Sequence, residues 1–219
     1  MKKEEVASTI DHTILKPEVN YHYLEAVCLE AVKYNFATVA IYPSNISLAK
    51  KWLEGSNVGI TAALAFPFGS WTAEMKVFET KNAIREGATD CDFVINVGAL
   101  KEKKYDVLKR EMEMIKKVAA NHITKAIIEV GFLNEDEIIK ACEIASETGI
   151  NFVKTSTGFF KKPTVEQVRL MYESLKNTET KVKAAGGMRT AEDAKKMIEA
   201  GARRLGTSSG VEIINGWKE

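Results

Sequence analysis

Short apolar runs rich in β-branched and aromatic residues alternate along the chain with longer segments of helical periodicity. Runs of the first kind predict strands, and segments of the second kind predict helices. The predicted strands lie near residues 8–13, 37–42, 59–66, 91–97, 125–131, 152–157, 181–186 and 203–207. The predicted helices lie near residues 20–34, 45–54, 72–86, 102–120, 135–148, 164–177 and 191–200. No low-complexity linker interrupts the alternation, so we predict a continuous series of βα units.

Several of the predicted helices stop in the same way, at a residue that tolerates a positive φ angle and precedes a strand closely. These stops are Asn35, Gly87, Gly149 and Gly201. A repeated loop geometry would place the fifth residue after each stop at an equivalent height on four strands. Those residues are Ala40, Asp92, Lys154 and Gly206. Two of the four are ionisable, which marks this level of the predicted sheet as a candidate site.

Side chains alternate between the two faces of a strand, and here the alternation separates polar from apolar residues. One face carries Asp92, Lys125, Lys154 and Lys183. The other face carries Phe93, Ile95, Ala126, Ile128, Val153 and Val182. In an open, doubly wound sheet both faces would meet helices, and the polar face would be costly to bury. A closed barrel turns one face inward and opens at the carboxyl ends of its strands.

We therefore predict an α/β protein with a (β/α)8 TIM barrel fold, formed as a single domain over residues 1–219. Such barrels typically have ~250 residues with a lower limit near 200, so a chain of 219 residues fits this fold if its loops are short.

The composition argues against several classes of function. Thirty-one basic residues against 30 acidic ones give a formal net charge of +1, so no overall field would attract nucleic acid or an anionic membrane. Local basic runs such as Lys161-Lys162 are interpreted as solvated faces or turns. The N-terminus lacks the apolar core of a secretory signal, and no run approaches the ~20 apolar residues that span a bilayer. We predict a cytoplasmic protein with no nucleic-acid or membrane partner.

Cysteine and histidine positions do not suggest a metal site. The cysteines lack a Cys-x-x-Cys spacing and are predicted to be buried thiols; they are Cys28, Cys91 and Cys142. The histidines lack carboxylates at metal-ligand spacing, apart from Asp11 directly before His12. We predict no bound metal, a structural or pocket-lining His12, and surface positions for His22 and His122.

Lys154 and Lys183 are candidates for a reactive pair. Burial and a neighbouring positive charge both lower the pKa of a lysine, and a neutral amine can attack a carbonyl to form a Schiff base. Asp92, at the same inferred level, could keep one lysine protonated and relay protons through water. The alternative is that both lysines pack their stems and extend their ammonium groups into solvent. The pattern alone does not decide which lysine would attack.

Strands seven and eight end in "AAGGMRTAEDA" and "LGTSSG". Paired glycines let backbone N–H groups approach a ligand closely, and each segment leads into a predicted helix start. The loops after strands seven and eight are the recurrent phosphate site of barrel enzymes. The alternative is that both segments are ordinary turns. The occurrence of such a segment after both strand seven and strand eight favours an anion site.

Separate motifs along nearly the whole chain resemble those of deoxyribose-phosphate aldolase, a class I aldolase family of the (β/α)8 type. The motifs are "IDHTILK" (10–16), "AIYPSN" (40–45), "FPFG" (66–69), "GATDCDFVINVGALK" (87–101), "IIEVGFL" (127–133), "NFVKTSTGF" (151–159), "VKAAGGMRT" (182–190) and "RLGTSSG" (204–210). The resemblance implies reversible cleavage of 2-deoxy-D-ribose 5-phosphate to D-glyceraldehyde 3-phosphate and acetaldehyde. It also implies that the reaction uses neither a metal nor a dissociable organic cofactor.

The resemblance also assigns roles to residues. It makes Lys154 the Schiff-base nucleophile, Lys183 the lysine that holds a proton and lowers the pKa of Lys154, and Asp92 the proton relay. The phosphate contacts that it implies are Gly158, Gly186, Gly187, Gly206, Ser208 and Ser209. A small-molecule sugar phosphate is therefore the expected partner, and a homodimer or homotetramer is expected by analogy with related barrels.

The chain departs from the family pattern in three places. Ala40 replaces a cysteine that many relatives carry, which removes a thiol but no catalytic group. The common "ASGG" is "AAGG" here, with the loss of one hydroxyl. The chain ends in "EIINGWKE", without the tyrosine tail that assists proton transfer in some relatives, so water held by Asp92 and Lys183 would have to suffice.

Two further hypotheses stay open at this point. The same lysine and phosphate site would serve another Schiff-base aldolase or a transaldolase, from which formation of acetaldehyde would distinguish this enzyme. A non-enzymatic hypothesis is a degenerate barrel that is retained as a sugar-phosphate sensor or an assembly subunit, and the presence of Lys154, Lys183 and Asp92 argues against it.

Overall fold

A computed structural model describes residues 1–218. In this part of the chain eight parallel strands close into a barrel in chain order, which confirms the predicted fold. The strands are β1 Ile10–Thr13, β2 Thr38–Ile41, β3 Gly59–Leu64, β4 Asp90–Val94, β5 Ile123–Ile127, β6 Phe152–Lys154, β7 Lys181–Ala185 and β8 Ala202–Thr207. The helices are α1 Lys3–Ala7, α2 Tyr21–Tyr34, α3 Ile46–Leu53, α4 Ala73–Glu86, α5 Val97–Lys101, α6 Tyr105–Ala119, α7 Glu135–Glu147, α8 Val165–Leu175, α9 Ala191–Glu199 and α10 Gly210–Gly216.

The helix stops adopt the backbone conformation that the sequence predicted. Their φ angles are 53° at Asn35, 121° at Gly87, 71° at Gly149 and 113° at Gly201. A left-handed residue ends a helix because it lets the next backbone N–H groups return to the last free carbonyls. At Gly87, for example, the N–H donates to the carbonyl of Ala83. These turns direct the chain back toward the barrel after each helix.

Several predicted strands are shorter in the structure, and two of them end early for a clear local reason. Strand β4 ends at Val94 and not at residue 97, because the side chain of Asn96 accepts a hydrogen bond from the N–H of Ala99 and begins helix α5. Strand β5 ends at Ile127 and not at residue 131, because Glu129 takes a left-handed conformation with φ 51°. The predicted helix at 102–120 corresponds to α6, and the short helix α5 that precedes it was not predicted.

The outward faces of the strands form the main hydrophobic core against the helices. Residues predicted on the apolar face are at most 1% exposed. They are Phe93, Ile95, Ala126, Ile128, Val153 and Val182. Burial of each large apolar side chain contributes roughly 1.5–3 kcal/mol, so this layer is the principal source of stability. The three cysteines are buried and free, as predicted.

No helix within residues 1–218 is both long and apolar enough to cross a membrane.

Candidate active site

A cavity of about 880 Å³ opens at the carboxyl ends of the strands. The loops after β1, β6, β7 and β8 form most of its wall. Of the residues predicted for the site, the cavity is lined by Lys154, Gly158, Gly186, Gly187, Gly206 and Ser208. Ser209 is not part of this wall and instead directly precedes α10. The loops predicted to bind an anion and the candidate lysine therefore share one cavity.

Asp92 lies inside the barrel beneath this cavity and contacts three lysines. Its Oδ2 atom accepts hydrogen bonds from Nζ of Lys154 at 2.9 Å and from Nζ of Lys183 at 2.7 Å. Its Oδ1 atom accepts one from Nζ of Lys125 at 2.8 Å. Strand register explains the grouping, because Asp92 pairs with Lys125 across β4 and β5, and Lys154 pairs with Lys183 across β6 and β7.

A second set of charges lies around Lys125 and Lys183. Lys183 also contacts Asp11 on β1. Lys125 donates to Oδ2 of Asp90 at 2.7 Å, and Arg204 lies 3.2 Å from Asp11. We call the whole set the ionic cluster. It consists of Asp11, Asp90, Asp92, Lys125, Lys154, Lys183 and Arg204.

The ionic cluster carries three carboxylates and four basic groups, of which Arg204 is the most exposed. Buried charges are costly unless they are paired, and fully protonated lysines would leave this cluster with one positive charge in excess. Loss of a single proton from one of its lysines would balance the cluster. The barrel interior therefore favours one neutral amine among its lysines.

Burial and charge act in opposite directions on the carboxylates. Burial alone would raise the pKa of Asp92, but Lys125, Lys154 and Lys183 outweigh it and hold that pKa well below its ordinary range. For Asp11, burial is again outweighed, mainly by Lys183 and Lys125, and the pKa falls to about 2. Both carboxylates are thus held ionised, and each can hold a proton only transiently.

The lysines respond to the same environment in different ways. Burial lowers the pKa of Lys183 to about 8, although Asp11 and Asp92 favour its charged form. For Lys125 burial acts in the same direction, but Asp92, Asp11 and Asp90 together raise the pKa above its ordinary value. Lys125 is therefore a permanent cation, and Lys183 can exchange its proton near neutral pH.

Lys154 is the lysine of the ionic cluster that reaches the cavity wall. It is 4% exposed, whereas Lys183 and Lys125 are completely buried. Its Nζ atom also lies 5.7 Å from the ring centre of Phe66. A molecule in the cavity can therefore meet the amine of Lys154, while Lys183 lies behind it.

The predicted anion loops have the backbone that they need for close approach. Gly158, Gly186 and Gly187 have φ angles of 90°, 108° and 78°, a region that residues with side chains rarely adopt. Gly206 is required for a different reason. A β carbon there would lie 2.9 Å from Cβ of Ala185 and 3.1 Å from Cε of Lys183, so glycine leaves room for the lysine stem.

Several residues of the site were not assigned by the sequence analysis. Asp11, Asp90 and Arg204 complete the ionic cluster, and Lys125 had been placed only on the polar face. Glu129 is buried, and its Oε2 atom accepts a hydrogen bond from the N–H of Thr157 at 2.9 Å, which holds the loop after β6. Alternation along the strand could have identified Arg204, which lies two residues before Gly206.

His12 has a structural position, on the opposite side of β1 from Asp11. Its Nε2 atom lies 2.8 Å from Glu30 on α2, and its ring packs against Phe36. It is not part of the cavity wall. His22 is exposed, as predicted, and His122 is half-buried, with Nδ1 2.9 Å from the carbonyl of Ala119. Within residues 1–218 no group of three or more His, Cys, Asp or Glu side chains could hold a metal ion.

Comparison with known proteins gives consistent results. Residues 5–216 match the family described as DeoC/LacD family aldolase. Deoxyribose-phosphate aldolase 1 of Mesoplasma florum is 50% identical over 208 residues, which cover 94% of each chain. Deoxyribose-phosphate aldolase of Thermococcus kodakarensis is 47% identical over 221 residues, covering 99% of this chain and 98% of that protein. The tetrameric deoxyribose phosphate aldolase of Aeropyrum pernix superposes with a TM-score of 0.92 at 28% identity, over 98% of this chain and 91% of that one.

Proposed function

Since the chain belongs to the DeoC/LacD family of aldolases, we propose that it catalyses the reversible cleavage of 2-deoxy-D-ribose 5-phosphate to D-glyceraldehyde 3-phosphate and acetaldehyde. The observation that carries the proposal is that Lys154 lines the cavity while its amine contacts Asp92, which also contacts Lys183. This is the arrangement that a class I aldolase requires, because an amine must be accessible and must be able to lose its proton.

Lys154 is the proposed nucleophile. Two ammonium groups on one carboxylate oxygen repel each other, so loss of one proton from the pair relieves the repulsion. The neutral amine of Lys154 adds to the C1 aldehyde of the open-chain sugar, and loss of water gives a protonated imine. The carboxylate of Asp92 accepts the departing proton transiently, beside the ammonium group of Lys183.

Bond cleavage follows from the electron demand of the imine. A water molecule held by Asp92 and Lys183 removes the proton of the C3 hydroxyl group. The C2–C3 bond breaks, its electron pair moves toward the imine nitrogen to form an enamine, and C3 becomes the aldehyde of glyceraldehyde 3-phosphate. Protonation of the enamine at C2 and hydrolysis release acetaldehyde and restore the amine of Lys154.

Phosphate recognition is assigned to the loops at the far side of the cavity. Backbone N–H groups near Gly158, Gly186 and Gly187 and the hydroxyl group of Ser208 would hold the phosphate, together with Gly206. A contact of Ser209 is retained from the sequence prediction, although the residue lies outside the cavity wall. This remote binding energy positions C1 against the amine.

Three further properties belong to the proposal. The chain is taken as one catalytic domain over residues 1–219 that uses neither a metal nor an organic cofactor. It acts in the cytoplasm, because phosphorylated sugars do not cross membranes unaided. It assembles as a homodimer or homotetramer, for which the tetrameric Aeropyrum pernix relative provides support.

The direct test is turnover of 2-deoxy-D-ribose 5-phosphate by the purified, folded protein. Both products should appear in equal amounts, with glyceraldehyde 3-phosphate measured by coupled oxidation and acetaldehyde by coupled reduction. Formation of glyceraldehyde 3-phosphate without acetaldehyde would point to a different aldolase or a transaldolase. A folded protein that forms neither product would contradict the proposal.

A further inference from the structure

The loop between β6 and α8 folds over the paired glycines that follow β7. A β carbon placed on Gly186 would lie 3.2 Å from Cδ of Pro163, and one placed on Gly187 would lie 2.5 Å from Cδ of Lys162. The proline ring and the methylene groups of the lysine therefore cover the two glycines. From the sequence alone, Lys162 is expected to be a solvated turn residue. It is exposed, but it forms part of the cavity wall.

The backbone of Lys162 is restricted from both directions. A residue that precedes proline is confined mainly to extended conformations. After Pro163, Thr164 begins α8 with a reciprocal cap, in which its side chain accepts from the N–H of Gln167 and Gln167 accepts from the N–H of Thr164. Because its stem also packs on Gly187, Lys162 has less freedom than an ordinary surface lysine, and ordering it on a ligand costs less entropy.

The charge on this side of the cavity is strongly positive. Besides Lys154, the wall contains four basic side chains against one carboxylate, that of Glu18. The basic residues are Lys16, Lys161, Lys162 and Arg189. No carboxylate in the described part of the chain forms an ion pair with Lys162. Its ammonium group is therefore available to a dianion held at the neighbouring glycines.

We propose that Lys162 is a specificity-determining residue that binds the phosphate group of the substrate directly, from a position fixed over Gly187. The inference rests on the proposed function. It deepens that function because glycine N–H groups offer neutral donors, whereas an ammonium group adds a charge-assisted hydrogen bond that favours a phosphate ester over a free sugar. Lys162 takes no part in the bond-making steps at C1, C2 or C3.

The test compares Lys162→Met with Lys161→Met. Lys161 is the matched control because it has the same charge in the same loop, but its stem packs on Gly131, away from the paired glycines. For 2-deoxy-D-ribose 5-phosphate, Lys162→Met should raise KM about tenfold with kcat within about twofold of wild type. The increase in KM for Lys161→Met should be several-fold smaller. Lys162→Arg should recover most of the affinity, because guanidinium also binds phosphate.

A second substrate and a binding measurement separate phosphate recognition from general damage to the site. With unphosphorylated 2-deoxy-D-ribose, kcat/KM of Lys162→Met should match that of wild type. Calorimetric titration with inorganic phosphate should show weaker binding to Lys162→Met than to wild type. Equal losses on both sugars, or an unchanged KM for the phosphate ester, would overturn the inference.

The titration with inorganic phosphate also separates the proposed aldolase reaction from the proposed role of Lys162. If the wild-type protein binds inorganic phosphate in a way that depends on Lys162 but does not cleave the sugar phosphate, the proposed reaction fails and the phosphate role of Lys162 stands. If cleavage occurs but neither KM nor phosphate binding changes in Lys162→Met, the inference fails and the reaction stands.

Discussion

Lys154 and Lys183 contact the same oxygen of Asp92 but have different surroundings. Lys154 lines the cavity, whereas Lys183 is completely buried and also contacts Asp11. A buried lysine between two carboxylates cannot meet a substrate, but its charge controls how readily those carboxylates accept a proton. The two lysines are therefore suited to different roles, one covalent and one electrostatic.

The protonation of Lys183 should appear in the pH dependence of kcat. Burial lowers the pKa of this lysine to about 8. As pH rises above that value, Lys183 loses its proton and no longer offsets the negative charge of Asp92. We expect kcat to fall above about pH 8. Lys183→Arg should move this fall to higher pH, because a guanidinium group keeps its charge. Lys183→Met should lower kcat by at least about 100-fold at every pH.

Steady-state kinetics between pH 6 and 10 provide the measurement. Lys181→Met is the matched control, because Lys181 is exposed on the same strand and its loss should leave the profile unchanged. KM should change little in Lys183→Met, since Lys183 is not part of the cavity wall. A profile for Lys183→Arg that coincides with that of wild type would exclude Lys183 as the titrating group.

The alternation of side chains between the two faces of a strand could predict part of this arrangement. Alternation placed Asp92, Lys154 and Lys183 on one face, but the choice of Lys154 as nucleophile required the family resemblance. Asp11 lacked such a signal, because it meets Lys183 only after β1 closes against β8. Contacts across a closed barrel depend on register and tilt, which the sequence period does not specify.

At the scale of elements, an ion pair between α4 and α6 holds the end of the strand that carries Asp92. Lys76 on α4 lies 2.7 Å from Glu111 on α6, and both are buried. Lys76 also donates to the carbonyl of Val94 at 2.8 Å, and Glu111 accepts from the N–H of Asn96 at 3.2 Å. The pair thus satisfies backbone groups exposed where β4 ends and α5 begins.

Removing one partner of this pair should be more damaging than removing both. Lys76→Met leaves the carboxylate of Glu111 buried without a cation, so we expect the free energy of unfolding to fall by about 3–5 kcal/mol. The double variant Lys76→Met/Glu111→Met should recover more than half of that loss. Urea unfolding of the two single variants and the double variant gives the coupling energy. Additive effects of the two substitutions would contradict a coupled pair.

Element boundaries were predictable where a local signal exists. The helix ends at Gly149 and Gly201 were predictable, because glycine is the residue that most readily takes the left-handed conformation. Helix α5 was not predicted, because its five residues are too few to show helical periodicity. The burial of Lys76 was also unexpected, since a lysine on a helix normally faces solvent.

At the scale of the whole molecule, the ionic cluster links six of the eight strands through the barrel interior, from β1 to β8. The overall fold could be predicted because the alternation of strand and helix repeats along the chain, and because strands β4 to β7 carry an apolar outward face and charged inward residues. The same polarity makes the folded state depend on ionised carboxylates. Stability should therefore depend on pH in the acid range.

The sign follows from the direction of the carboxylate shifts. Asp11 has a pKa of about 2 in the folded protein against an ordinary value of 3.8, so the unfolded chain binds protons first as pH falls. Its stabilising contribution is present above about pH 4 and is lost as pH falls toward 2; it amounts to about 2 kcal/mol. Asp92, whose pKa is also depressed, adds a contribution of the same sign.

Urea unfolding at pH 6, 4 and 3 tests this dependence. The wild-type free energy of unfolding should decrease toward pH 3, and Asp11→Asn should show a shallower decrease, whatever its stability at pH 6. Glu113→Gln, at an exposed position on α6, is the control. Parallel slopes for wild type and Asp11→Asn would show that Asp11 does not contribute to the acid dependence.

The whole mechanism depends on formation of the Schiff base by Lys154. Borohydride reduction in the presence of 2-deoxy-D-ribose 5-phosphate, followed by peptide mass mapping, tests it directly because reduction makes the imine permanent. We expect one labelled residue, Lys154, and no trapping in Lys154→Met. A label on Lys183, or no label on Lys154 in a protein that turns over the substrate, would contradict it.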